Sequence, residues 1–151
     1  ARVGANDLAT EAVELCRYRC EMDGLLLMSD LASDAGQVEV MPGQVLQALI
    51  AMLQNAREAL AADGEGGSIG LTTTTEDGHV QFIVEDDGPG ISAEVGERVF
   101  ELGYSTKQDG QPAGLGLTIG RHVARKHGGD LTITTTHDGG LQTLTLPLSS
   151  G

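Results

Sequence analysis

Asp86-Asp87-Gly88-Pro89-Gly90-Ile91 follows straight after the apolar run Phe82-Ile83-Val84. An aspartate at a strand end supplies a hydrogen-bond acceptor, and the two glycines let backbone pass where a Cβ would obstruct it. Taken alone, the string fits an ordinary strand-ending turn equally well. Gly114-Leu115-Gly116-Leu117 opens a helical stretch. Unpaired N–H groups and the positive end of the helix dipole at such a start suit an anion, although a helix can begin this way with no ligand. Asn55-Ala56 and the group Val99-Phe100 with Ser105-Thr106-Lys107 add an amide, an aromatic ring, two hydroxyls and a cation.

The chain that positions these residues has 151 of them, the size of one domain. Folding buries roughly 68–70% of the surface an unfolded chain of this length exposes, so neither a metal nor a disulfide is needed to staple it. Aromatics are only 3% with no Trp, so the core must come from Leu, Val, Ile, Ala and Met. Nine Lys and Arg stand against 22 Asp and Glu, a net charge of −13. That charge repels phosphate backbones and anionic membranes at long range, excluding non-specific nucleic-acid binding and membrane contact. It leaves room for a small anion held locally.

Cys16 and Cys20, four apart on one helical face, lack the further Cys or His that a zinc site needs and read as two reduced thiols. No run reaches the ~18 apolar residues of a membrane span, and no signal peptide opens the chain. A start at Ala1 and an end at Gly151 after Ser149-Ser150 read as a fragment of something longer.

The spacing of Leu8, Ala12, Val13, Leu15 and Cys16 predicts a helix from about Asn6 to Met22, with Asn6 or Asp7 as its cap. Leu25 to Met28 reads as a strand, and Asp34-Ala35-Gly36 turns towards Val38-Glu39-Val40. Pro42 begins a second helix that runs to Leu60. Two hairpins follow, Ile69–Thr75 with His79–Glu85 and Asp130–Thr136 with Leu141–Leu148, joined across Asp-Gly turns. Between them lies a third helix, Leu115 to His127, ended by Gly128-Gly129. Grouped rather than alternating elements predict an α+β fold, a two-layer α/β sandwich with a mixed sheet packed on about three helices. Residues 92 to 113, with a short helix around Glu94 to Phe100, form a long irregular segment of the kind that serves as a lid or binding loop.

Taken together, Asn55-Ala56, the aspartate–glycine string, Val99-Phe100 with Ser105-Thr106-Lys107, and Gly114-Leu115-Gly116 fall in the order of one known family. From about residue 6 to 148 the chain resembles the catalytic, ATP-binding domain of sensor histidine kinases, of the Bergerat-fold ATPase superfamily. The resemblance implies a single domain over 1–151 with a mobile ATP lid at about 92–113. It implies ATP and Mg²⁺ as ligands, with Asp86 accepting the adenine amine and Asn55 holding the metal. Asn55 and Lys107 take the catalytic positions. The nucleotide-binding positions also include Gly88, Gly90, Ile91, Phe100, Thr106, Gly114, Leu115, Gly116 and Leu117. Asp87 reads as a turn residue, Leu115 and Leu117 as lid and core packing, and Phe100 as the lid's anchor. Lys107 fits either a phosphate contact or a solvated lysine. Arg121, Arg125 and Lys126 fit either a solvated basic face or docking to an acidic partner.

The implied function is donation of the ATP γ-phosphoryl group to a histidine on a separate dimerisation and phosphoacceptor helical domain, which then feeds a response regulator receiver domain in the cytoplasm. Alternatives are a nucleotide-sensing module without productive transfer, and an anti-sigma-type serine kinase. Three departures from the family pattern stand out. Ala51, one turn before Asn55, cannot act as a base for water. Pro112 replaces a usual glycine. Near the last strand the relatives' Gly-Thr is replaced by Gly139-Gly140-Leu141-Gln142-Thr143, which leaves the role of Thr143 open. His79, His122, His127 and His137 all lack an acceptor context, which puts the phosphoacceptor outside this chain.

Overall fold

The computed structural model describes residues 1–63, 67–87, 113–136 and 139–149. Among them the order is β1 (Arg2–Gly4), α1 (Ala5–Met22), β2 (Leu25–Leu31), β3 (Gln37–Glu39), α2 (Pro42–Asp63), β4 (Gly67–Glu76), β5 (His79–Asp86), α3 (Ala113–Lys126), β6 (Asp130–Thr136) and β7 (Gly139–Pro147). Strands β2-β4-β5-β7-β6 form a five-stranded sheet, parallel between β2 and β4 and antiparallel elsewhere. The short β1 and β3 pair antiparallel beside it.

Strand alternation decides which face is covered. Ile69, Leu71 and Thr73 of β4, Val80, Phe82, Val84 and Asp86 of β5, and Gln142, Leu144 and Leu146 of β7 are buried. Their neighbours Thr72, Thr74, Gln81, Ile83, Thr143 and Thr145 are half-buried on the open face. The helices supply the other half of the core: Leu8, Ala12, Val13 and Cys16 from α1, Leu49, Met52, Leu53 and Ala56 from α2, and Leu117 and Ala124 from α3. The result is the expected α+β two-layer sandwich of three helices on a mixed sheet.

The ends of elements differ from the sequence reading where side chains were assigned a local role. Neither Asn6 nor Asp7 caps α1: Gly4 is the cap, with no side-chain cap hydrogen bond, and the Ala5 N–H donates to the Gly36 carbonyl at 3.0 Å. Asn6 is used at longer range. Its amide donates to the Ala32 carbonyl at 2.6 Å and accepts from the buried Thr73 hydroxyl at 2.8 Å. Strand β2 extends to Leu31 because β4 pairs with it as far as Thr73. The expected turn at Asp77-Gly78 is present, with φ of 52° and 77°, the left-handed region that Gly adopts freely and Asp tolerates.

Candidate functional site

Helix α2 begins with Pro42 at a position where no backbone N–H is needed, and the Met41 carbonyl accepts from Gln44 and Val45 at 3.1 and 3.2 Å. Helix α3 packs against it in the opposite direction. Met41 at the start of α2 donates to His127 Nε2, just after α3, at 3.1 Å. Further along, a Cβ built on Gly120 would lie 3.7 Å from the Ala48 Cα, so the helices approach closely there. Continued in the same register, the first turn of α3, with Gly114, Leu115 and Gly116, comes alongside the turn of α2 that carries Met52 and Asn55.

Strand β5 brings Asp86 to the same end of the sandwich. Its side chain lies on the helix-covered face, only 9% exposed. The backbone N–H of Gly140, at the start of β7, donates to Asp86 Oδ1 at 3.3 Å. A Cβ on Gly140 would stand 2.9 Å from Asp86 Oδ2, so the absence of a side chain there is what leaves the carboxylate its place. Asp87 is turned away and used structurally. Its carboxylate accepts from the N–H and hydroxyl of Ser68, both at 3.0 Å, which ties the end of β5 to the start of β4.

Asn55 is half-buried on α2, with Ala51 one turn earlier, also half-buried. The first turn of α3 contains no acidic residue, so nothing on it opposes an anion at the positive end of the helix. Leu117 is wholly buried and anchors α3 in the core, in keeping with a packing role. Gly88, Gly90, Ile91, Phe100, Thr106, Lys107 and Pro112 lie outside the described residues. So does the expected lid as far as residue 112, while Ala113 belongs to α3.

The open question over Thr143 is answered by the register. It pairs with Ile83 and Thr132 on the open face, opposite to the face that carries Asp86. The β7 positions on the Asp86 face are Gly140 and Gln142, and sequence reasoning assigned neither. Counting back by twos from Leu146 and Leu144 would have found both. Gln142 is 2% exposed and donates to the Met52 carbonyl at 3.0 Å.

Several other titratable groups are tied into the fold. Arg121 and Arg125 both hold Asp130 Oδ1, at 3.2 and 3.1 Å, so these two basic residues of α3 are engaged within the domain. Burial pushes Asp130 up, but bonds from the Leu131 N–H, Arg121 and Arg125 outweigh it and hold the carboxyl below its ordinary value. His127 contacts the Val123 carbonyl through Nδ1 at 2.8 Å while Nε2 accepts from Met41, which fixes the proton on Nδ1. His122 is exposed on α3, and His79 Nδ1 lies 3.0 Å from the Asp77 carbonyl. Cys16 and Cys20 are free and buried. Burial, with Cys20 beside it, pushes the Cys16 thiol up to about 11 and so keeps it an unreactive thiol. Among the described residues there is no cluster of three or more His, Cys, Asp or Glu that could hold a metal, and no helix long and apolar enough to cross a membrane.

A buried carboxylate, an amide on the neighbouring helix and an acid-free helix start come to one end of the sandwich, and comparison with known proteins identifies the class, an ATPase of the histidine kinase type. The family described as histidine kinase-, DNA gyrase B-, and HSP90-like ATPase matches residues 41–150. The chain belongs to that family, as the catalytic ATPase domain of a sensor histidine kinase. It is similar to the C4-dicarboxylate transport sensor protein DctB of Rhizobium meliloti, at 35% identity over 82% of this chain and 19% of that protein. The catalytic domain of histidine kinase ThkA superposes with a TM-score of 0.85 at 28% identity, covering 97% of this chain and 94% of that one. A ThkA structure in complex with response regulator protein TrrA gives 0.82 at 25% identity, over 99% of this chain and 42% of that one. Full-length ShkA in complex with AMPPNP gives 0.85 at 26% identity, over all of this chain (100%) and 31% of that one. The chain spans 12%, 19% and 33% of the lengths of three curated relatives that it matches.

Proposed function

We propose that this domain binds Mg-ATP at the Asp86 end of the sandwich and donates the γ-phosphoryl group to a histidine on a separate dimerisation and phosphoacceptor domain, whose product feeds a response regulator receiver. The observation that carries the reading is the buried Asp86 carboxylate, backed by the Gly140 N–H and level with the acid-free start of α3. In this reading Asp86 accepts the adenine amine, and Gly88, Gly90 and Ile91 pass the backbone along the base. Gly114, Leu115 and Gly116 offer their N–H groups to the phosphates, and Phe100, Thr106 and Lys107 belong to a lid over residues 92–113 that closes on them. The amide oxygen of Asn55 is the hard donor that suits Mg²⁺, which keeps waters and phosphate oxygens as its other ligands and neutralises charge on the phosphates.

Transfer breaks the bond between the γ-phosphorus and the β–γ bridging oxygen, forms a phosphorus–nitrogen bond to the acceptor imidazole, and leaves ADP. The domain contributes positioning and charge neutralisation. Ala51 supplies no base, which favours transfer to a presented nucleophile over hydrolysis. ATP as donor sets the domain in the cytoplasm, and a net charge of −13 keeps it off nucleic acid and anionic lipid. The test is to supply a cognate helical domain and labelled ATP. Acid-labile label on its histidine is expected. Acid-stable label on serine, or ATP binding with no label, would replace this reading with a serine kinase or a sensing module.

A further inference from the structure

Gln142 sits where an apolar side chain would serve the core better. It faces Val84 across the β5–β7 pairing and Ile133 across the β6–β7 pairing, one inward-facing position from Gly140, and is wholly buried. Its Nε2 donates to the Met52 carbonyl at 3.0 Å, across 90 positions of sequence. Its Oε1 is buried and has no hydrogen-bond partner among the described residues. An acceptor left unpaired in a dry core opposes folding, and a methionine or leucine of similar size would avoid that cost. Stability alone therefore does not account for a glutamine at this place.

What the bond joins does account for it. Strand β7 begins with the segment whose Gly140 N–H backs Asp86. Helix α2 carries Met52 and, one turn later, Asn55. We infer that Gln142 is a positioning residue of the nucleotide site, a strut from β7 to the Met52 carbonyl that sets the spacing between the Asp86 carboxylate and Asn55. The side chain is closed off from solvent. It acts through the two elements it ties, so it governs whether one nucleotide can engage the base-holding strand end and the metal-holding helix together. The inference rests on the proposed roles of Asp86 and Asn55.

The experiment uses the 151-residue chain and its Gln142→Met and Gln142→Leu variants. Thermal midpoints are measured, and ATP is titrated with and without Mg²⁺. Both variants should melt at or above the wild-type temperature. Their affinity for ATP with Mg²⁺ should fall about five- to tenfold, with a much smaller change in its absence, as expected when two halves of a site lose their relative placement. Unchanged affinity and an unchanged gain from Mg²⁺ would overturn the proposal. So would affinity that falls only in step with the melting temperature, or two variants that do not fold, because glutamine would then be a packing residue. A wild-type chain that binds no ATP would instead bring down the reading of Asp86 and Asn55 on which the inference stands.

Discussion

The two ends of the sandwich are built on opposite plans. At the end away from Asp86, the fold is fastened by close contacts between elements. His127 joins the end of α3 to the residue that caps α2, Asp130 takes both Arg121 and Arg125, and Gly129 lies against the Thr145 carbonyl with no room for a side chain. At the Asp86 end, the described contacts run through the ends of strands. Gly140 lends only a backbone N–H, Asp87 is spent on Ser68, and the start of α3 carries no acid. One end is fastened by side chains, while at the other a glycine stands where a side chain would meet the Asp86 carboxylate.

The same substitution at the two ends should separate these plans. Gly129→Ala drives a methyl into the Thr145 carbonyl. It should destabilise the domain by about 3 kcal/mol, lowering the melting temperature by roughly 6–12 °C; a shift of only about 1 °C would show that this end is less tightly fixed. Gly140→Ala crowds Asp86 instead. It should weaken ATP binding about tenfold, or ~1.4 kcal/mol, while the melting temperature moves by only a few degrees. A loss confined to stability would make Gly140 a fold residue.

Smaller effects sharpen the fastened end. His127→Ala removes the bridge to Met41 and should cost about 1 kcal/mol in chemical denaturation, with ATP affinity unchanged. The smallest effect belongs to Asp130, whose carboxyl is depressed by its backbone and arginine bonds. Its contribution is fully present above the ordinary carboxylate pKa and is lost as pH falls through the lower folded value. With 40% of the side chain exposed, Asp130→Asn should cost ~0.5 kcal/mol at neutral pH, a difference from wild type that closes in acid. A gap that persists in acid would deny the ion pair that role.

Much of the fold was legible because its signals are local. Period-2 runs of threonine and valine, the Asp77-Gly78 turn and Pro42 at a helix start each carry their own geometry. The pairing of β1 with β3 was not legible, since three-residue strands have no periodicity to read and exist only because Val38 and Val3 meet in the folded state. Asn6 looked like a cap because the hydrogen-bonding habit of asparagine is local, yet its partners, Thr73 and Ala32, arrive from distant sequence. Within the site, Asp86 and Asn55 were legible as motif residues. Gln142 and Gly140 were not, because a polar residue and a glycine near a hairpin read as surface until the register puts them beside Val84 and Asp86.

Asp86 as the reader of the base is the claim on which the rest depends, and calorimetric titration of ATP against GTP tests it most directly. Guanine presents a carbonyl where adenine presents an amine, which sets two acceptors against each other at a carboxylate only 9% exposed. An unmet polar group of that kind costs about 1–3 kcal/mol, or roughly five- to 150-fold in affinity. The wild-type chain should prefer ATP by a factor in that range, and Asp86→Ala should weaken ATP strongly and abolish the preference. Equal affinity of the wild type for ATP and GTP would contradict the account.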